Sequence, residues 1–284
     1  MRKLDIATLI IEVDLPDWAL HHRLQQFSAD IGYTDITCKI VFERQANLPR
    51  KNGIPIVKEF VYNVDGDIHR WIGCEDDIPS YATATSDWSR YTMYIDPKYD
   101  DPTDEETVRL VREGIFFHLR DALVAALAKN NGLIIHSSSI IYQNKCVLFS
   151  AASGTGKSTH TAMWNELYHV PILNGDSAAC RIIDGSPVAF GIPWCGMSGQ
   201  FINHHAPLSA IVFLEQAKEN SIVKLDTVEA FMRLTERCIM LRWSESLTKA
   251  SLATIQFVVE SVDCYLLKCL PDHGAVELVK KCLE

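Results

Sequence analysis

One decapeptide carries most of the chemistry that can be read from this chain: Ser150-Ala151-Ala152-Ser153-Gly154-Thr155-Gly156-Lys157-Ser158-Thr159. It follows the apolar run Cys146-Val147-Leu148-Phe149 and precedes a stretch expected to be helical, Thr159 to Leu167. A strand, a glycine loop, Lys-Ser and a helix, in that order, make the context of a phosphate-binding P-loop, or Walker A motif. Gly154 and Gly156 let the backbone curl where a Cβ would obstruct it. Successive N–H groups then converge into a nest for phosphate oxygens, and the following helix adds its N-terminal dipole. On this reading Ser153, Gly154, Thr155, Gly156, Lys157, Ser158 and Thr159 bind the phosphates. Lys157 reaches the β- and γ-phosphates, and the Ser158 hydroxyl sits on Mg²⁺. The full pattern G-x-x-x-x-G-K-[ST] has Gly where this chain has Ala151. The alternative is an ordinary strand-to-helix turn that happens to carry a lysine.

Phosphoryl transfer also needs a metal carboxylate and a group to handle the acceptor proton. Asp176 is the first candidate, because Asn174-Gly175-Asp176 closes the next apolar run, Pro171-Ile172-Leu173. That strand can lie beside the P-loop strand and bring Asp176 to the phosphates as metal ligand or base. The competing reading is a turn aspartate. His136 ends the apolar strand Leu133-Ile134-Ile135 and opens Ser137-Ser138-Ser139. It is a candidate phosphate or acid/base contact, titrating near neutrality, against a purely structural histidine. Weaker candidates are His160 in the first turn after the loop, Arg181 for charge on the transferring group, and His204, His205 and Arg242 for substrate. His21-His22 could be imagined as a metal site, but adjacent residues on a helix point apart, which favours a plain surface pair.

These residues resemble a known family. His136-Ser137-Ser138-Ser139, the loop wording Ser-Gly-Thr-Gly-Lys-Ser-Thr and Asn174-Gly175-Asp176 fall in the order and spacing of HPr kinase/phosphorylase. The loop also looks like that of ATP-using phosphoenolpyruvate carboxykinase, which shares that nucleotide core. Gly191-Ile192-Pro193-Trp194-Cys195-Gly196, followed by Phe213-Leu214-Glu215-Gln216, is similar to a bacterial subgroup of HPr kinase-like proteins, some of which act in peptide maturation, lasso-peptide kinases among them. The resemblance runs from about Gly132 to the C-terminus. It implies an α/β (α+β) mixed-sheet kinase core, with Lys157 on phosphate, Ser158 on Mg²⁺, Asp176 as metal ligand or base, and His136 at the phosphates. Two features depart from the family. The adjacent aspartate pair is replaced by Gly175-Asp176-Ser177, and Ala189-Phe190-Gly191-Ile192 stands near the place of the Arg-Gly-Leu-Gly signature. Phosphorolysis, and HPr as a substrate, are therefore not expected.

The chain that must position this site has 284 residues, 48% of them hydrophobic, enough for one large or two modest domains. Its net charge of −9, with no long run of Lys or Arg, argues against a nucleic-acid partner. Nine cysteines without C-x-x-C spacing read as thiols of a reducing, cytoplasmic compartment. No apolar stretch is long enough for a membrane span and no signal-peptide layout opens the chain. Residues 1–129 are expected to be β-rich and to end in a long helix. Strands are expected over Asp5 to Asp14, Thr37 to Glu43, Val57 to Val61, Ile68 to Ile72 and Tyr91 to Ile95, with turns at Lys51-Asn52-Gly53 and Asp65-Gly66-Asp67. The helix is expected to start at a Thr103–Glu106 capping box and stop at a left-handed Gly132. Residues 130–284 are then the nucleotide domain: hairpins, a helix over Thr227 to Leu241, another over Leu247 to Val262, and a closing helix over His273 to Leu283. The hairpins near the loop favour a mixed sheet. The expected activity is an ATP-dependent (or GTP-dependent), Mg²⁺-dependent kinase acting on a hydroxyl, with Ser of a peptide or protein as acceptor and a homo-oligomer as a possible assembly. The alternatives are a small-molecule kinase or carboxykinase-like phosphotransferase, and a non-catalytic nucleotide-binding regulator.

Overall fold

Two residues in the left-handed conformation, Ala7 (φ 56°) and Thr8 (φ 60°), break the first apolar run in two. Strand β1 (Arg2–Ile6) folds back on β2 (Leu9–Asp14), pairing Ile6 with Leu9. The single strand expected over Asp5 to Asp14 is therefore a tight hairpin. Positive φ at both central positions gives the twist that neighbouring strands need, but nothing in the run announces it, since it holds no Gly or Asn. The structure, a computed structural model, describes residues 1–42, 54–57, 61–64, 67–74 and 77–284. The expected turn at Lys51-Asn52-Gly53, Glu43, part of the strand Val57 to Val61 and most of the turn at Asp65-Gly66-Asp67 lie outside the described residues.

The chain divides into two units, Met1–Ala126 and Leu127–Glu284. In the first, β3 (Ile36–Phe42), β4 (Ile54–Val57), β5 (Val61–Val64), β6 (Asp67–Cys74), β7 (Asp77–Ala84) and β8 (Arg90–Ile95) join β1 and β2 in one sheet of order β1-β2-β3-β8-β7-β6-β5-β4. The β2–β3 and β3–β8 pairs are parallel and the others antiparallel. Helix α1 (Glu105–Lys129) is tied to this unit by Tyr91 Oη against His118 Nδ1 at 3.0 Å, and by Phe116 stacked on His21 at 4.2 Å. His21 accepts a hydrogen bond from the Arg23 N–H and is pushed down to about 4, chiefly by burial. It is thus a neutral, stacked ring, and among the described residues no group of three or more His, Cys, Asp or Glu could hold a metal.

Both expected caps of α1 move. Asp104 takes the start, its carboxylate accepting from the Thr107 N–H at 2.9 Å, while the Thr103 hydroxyl donates to Asp101. At the other end Asn131 (φ 52°) holds the left-handed position. Gly132 is already in strand, where a Cβ would come within 2.8 Å of Leu127 and Arg181 side-chain atoms.

The second unit contains β9 (Gly132–His136), β10 (Ser138–Tyr142), β11 (Lys145–Ser150), α2 (Lys157–Tyr168), β12 (Ile172–Asn174), β13 (Ser177–Ile183), β14 (Ser186–Gly191), β15 (His205–Gln216), β16 (Ser221–Lys224), α3 (Thr227–Arg237), β17 (Cys238–Ile239), α4 (Glu245–Ser261), β18 (Asp263–Cys269) and α5 (His273–Leu283). The sheet order is β12-β10-β11-β15-β14-β13-β9-β17, with β18 also paired to β15 and β16 to β18. It is mixed: β11–β15 and β15–β18 are parallel, and the hairpins are antiparallel. Alternation along the strands sorts the apolar side chains into two layers. Leu148, Ile211 and Phe213 pack with Leu234, Ile255 and Val258 of α3 and α4. Val147, Phe149 and Val212 pack with Trp164, Val276 and Val279 of α2 and α5. Helices therefore cover the sheet on both faces, and the chain is a mixed α/β protein.

Two expectations are corrected here. Strand β12 does not lie beside β11; β10 separates them, and the parallel neighbour of β11 is β15. Helix α3 stops at Arg237, not at Leu241, because Cys238 and Ile239 leave it to pair with Ile135 and Ile134 of β9.

Replacing Asp104 by Ala removes the bond from the Thr107 N–H and should lower the urea midpoint of the first unit, whereas Thr103→Ala should leave that midpoint nearly unchanged. Urea unfolding followed by circular dichroism measures both. An equal loss in the two variants would return the cap to Thr103.

Candidate active site

The loop between β11 and α2 takes its shape from two glycines. Gly154 (φ 79°) and Gly156 (φ 114°) sit in the region that L side chains rarely adopt, so both positions demand Gly for backbone reasons. Open space surrounds the Cβ position at each. Gly156 caps α2 without any side-chain hydrogen bond, and the first helical bond runs from the His160 N–H to the Gly156 carbonyl. The first-turn amides of a 12-residue helix thus open onto the loop with no side-chain cap, the arrangement that attracts anions. Ser153, Ser158 and Thr159 are exposed around it.

Lys157 does not project into solvent; it is 7% exposed. Its ammonium donates to the Ala151 carbonyl at 3.1 Å and the Ala152 carbonyl at 3.3 Å, and meets His136 Nε2 at 3.0 Å. An ammonium has donors only, so Nε2 is the acceptor and the imidazole proton sits on Nδ1. Nδ1 in turn lies 3.6 Å from Asp176 Oδ1. Lys157, His136 and Asp176 therefore form one line from three separate elements.

The Asp176 end of that line is fixed by buried polar groups. The Asn174 side chain, fully buried, accepts from the N–H groups of Asp176 and Ser177 (2.9 Å each) and donates to the Ile192 carbonyl at 2.7 Å. The Ser138 hydroxyl donates to the Gly175 carbonyl at 2.8 Å, and the Ser137 N–H to the Asp176 carbonyl at 2.9 Å. On β11, the Ser150 hydroxyl donates to the His136 carbonyl at 2.8 Å and joins the strand end before the loop to the end of β9. A Cβ on Gly175 would lie 2.1 Å from Ser198 Oγ, and one on Gly196 would lie 2.8 Å from Asp176 Cγ. The segment after β14 is thereby closed down on the carboxylate.

Electrostatics follow from this crowding. Burial lowers the basicity of Lys157, with Asp176 opposing and Arg237 adding to the fall. His136 is held below its ordinary 6.5, first by burial and then by the Lys157 charge, against the pull of Asp176. Its titration is thus shifted below its ordinary value. Arg237, which no sequence motif marks, acts on both groups and lines a cavity of about 540 Å³ beside the loop. It arrives there because β17 pairs with β9 immediately after it, a long-range pairing that no local pattern marks. The Ser158 hydroxyl and the Asp176 carboxylate are hard oxygen donors, the type that Mg²⁺ prefers.

The weaker candidates fall elsewhere. Arg181 stands opposite Gly132 while Ser177 stands opposite His136. It is thus four residues along β13, roughly 13 Å from the His136 end, and donates to the Asn130 carbonyl. His204 and His205 stack on each other, His205 on Phe190, at the opposite end of β15 from Phe213, the partner of Ser150. Arg242 donates to the Thr235 carbonyl. His160 is buried, its Nε2 accepting from Trp164 Nε1 at 3.2 Å. No helix among the described residues is long and apolar enough to cross a membrane. The described cysteines are all free thiols.

No family model and no curated protein matches the chain. Among solved structures it is similar to the Hpr(Ser) kinase/phosphatase from Coxiella burnetii, at 9% identity and a TM-score of 0.32, over 52% of this chain and 89% of that one. A likeness at that level carries no weight for the site, whose reading rests on its own residues.

The line of charges makes a signed prediction. In the wild type, ¹⁵N NMR should find His136 protonated on Nδ1 at neutral pH and titrating below 6.5. Lys157→Met removes a cation that disfavours imidazolium, so the titration should rise; Asp176→Asn removes the anion that favours it, so it should fall further. Shifts of the same sign in both variants would contradict the arrangement.

Proposed function

We propose that the chain is an ATP- and Mg²⁺-dependent phosphotransferase that moves the γ-phosphoryl group to a hydroxyl, with Ser of a peptide or protein as acceptor. The observation that carries this reading is the uncapped glycine loop with Lys157 drawn back onto His136 and Asp176. Ser153 to Thr159 would cradle the phosphates through backbone N–H groups and hydroxyls. Lys157 would exchange its carbonyl partners for β- and γ-phosphate oxygens, with Arg237 adding charge beside it. Ser158 and Asp176 would hold Mg²⁺, which when bound with nucleotide offsets the negative charge of the β- and γ-phosphates.

That exchange has a consequence for His136. Once Lys157 turns to the phosphates, the Nε2 lone pair is released. The acceptor oxygen attacks the γ-phosphorus, the bond to the β,γ-bridging oxygen breaks with its electron pair leaving on ADP, and the hydroxyl proton goes to His136 Nε2. Asp176 steadies the imidazolium through Nδ1. One carboxylate suffices for a loose transition state, in which positioning and charge neutralisation supply most of the rate.

Transfer of label from γ-³²P-ATP to serine-containing peptides is the direct test. Lys157→Ala should lower turnover by about 10²-fold or more, the scale on which a charge-assisted contact to the transition state acts. Asp176→Asn should lower turnover and raise the Mg²⁺ concentration required. Label passing only to a small hydroxyl compound would make the chain a small-molecule kinase. ATP binding without turnover would make it a regulator, and unchanged turnover in a folded Lys157→Ala variant would remove the loop from the chemistry.

A further inference from the structure

A second cavity, of about 410 Å³, lies on the other flank of the loop and shares Gly154 and Thr155 with the first. The two differ in chemistry. The first is walled by Arg233, Glu236, Arg237 and Glu215, and Arg233 is already engaged with Glu215 at 2.8 Å and Glu229 at 2.9 Å. The second is walled by Met163 and His160 of α2, Leu214 and Ala217 at the end of β15, and Leu270 and Pro271 after β18. No charged side chain among the described residues lines it. Small-molecule sites are typically of this kind, apolar walls with a few placed polar groups, in the range of about 300–1,000 Å³.

Resting on the phosphotransferase reading above, we propose that this second cavity takes the purine ring of the nucleotide, with the His160 ring N–H donating to a ring nitrogen of the base. A base linked to phosphates in the loop must lie in a space that borders the loop, and both cavities do. A neutral, flat, largely apolar ring gains by covering Met163, Leu214 and Leu270. In the first cavity it would instead strip water from ion pairs, at a net cost. His160 supplies the second observation. Its Nε2 accepts from Trp164 Nε1, so the proton of the neutral ring is on Nδ1, and Nδ1 is buried without a hydrogen-bond partner among the described residues. The ring is 2% exposed, and burial pushes it down to about 4, so it stays neutral at pH 7. A buried donor without an acceptor is unfavourable until something supplies one. Adenine and guanine both carry ring-nitrogen acceptors and both fill more of an apolar slot than a pyrimidine does.

The test is isothermal titration of the full chain with Mg·ATP, Mg·CTP and tripolyphosphate, in the wild type and two variants. Ala217→Trp fills the cavity at a half-exposed position, and His160→Phe keeps the ring without its donor. The wild type should bind ATP at least about tenfold more tightly than CTP or tripolyphosphate, which is about 1.4 kcal/mol. Ala217→Trp, its fold checked by circular dichroism, should weaken ATP about tenfold or more and leave tripolyphosphate unchanged. His160→Phe should weaken ATP several-fold, again without affecting tripolyphosphate. Unaltered ATP affinity in Ala217→Trp, an equal loss of ATP and tripolyphosphate in it, or CTP binding equal to ATP in the wild type would each overturn the base site while leaving the loop reading standing. A wild type that binds none of the three would overturn both.

Discussion

A lysine ammonium removed from water must find acceptors, and the second unit is arranged around how Lys157 finds them. Two come from its own loop, the Ala151 and Ala152 carbonyls, and are available only because Gly154 and Gly156 turn the chain back through left-handed conformations. The third is His136 Nε2, which brings in the end of β9 and, through Nδ1, the Asp176 carboxylate. Burial of a charge is tolerated when it is paired and hydrogen-bonded. Burial lowers the basicity of Lys157 and of His136, and for His136 the Lys157 charge adds to the fall.

The rest of the fold supplies rigidity to this line. Ser138, Ser150 and Asn174 are buried polar side chains, and each spends its hydrogen bonds on backbone at a strand end. Gly175 and Gly196 allow the Asp176 turn and the segment after β14 to approach within distances that a Cβ would forbid. Helices on both faces of the sheet hold β11 in place from either side. Side chains that touch the phosphates would thus come from a frame fixed mainly by backbone contacts, and the two cavities beside the loop differ because β15 ends between α3 on one flank and α2 on the other.

How much of this was legible in the sequence depended on the range of the interaction. The loop was legible because its strand, glycines, lysine and helix are contiguous. The turn between β13 and β14 is equally local: Asp184 and Gly185 both favour positive φ, and both adopt it. Asp176 stands out in the sequence by its position after an apolar run, but that run does not flank β11: β12 lies outside β10. The Ala7-Thr8 turn carried no turn chemistry at all. Asp104 and Thr103 compete for one cap with nearly equal propensity, so which of them bonds the helix is decided by Asp101, which takes the Thr103 hydroxyl. Gly132 has the residue type of a left-handed cap, whereas close packing against Leu127 and Arg181 is what requires it. Arg237 was invisible because its place follows from a two-residue pairing with β9, far away in sequence.

The central proposal is that the backbone from Ser153 to Thr159 is an anion nest, and that Lys157 exchanges His136 for phosphate when the nest is filled. Titrating the ¹⁵N-labelled protein with pyrophosphate and Mg²⁺, and following backbone amides together with the His136 ring nitrogens, tests it directly. The largest amide shifts should fall between Gly154 and Thr159, and the His136 Nε2 resonance should move with them at the same pyrophosphate concentration as Lys157 leaves. Saturating pyrophosphate that moves neither the loop amides nor His136, or that moves amides elsewhere in the chain, would contradict it.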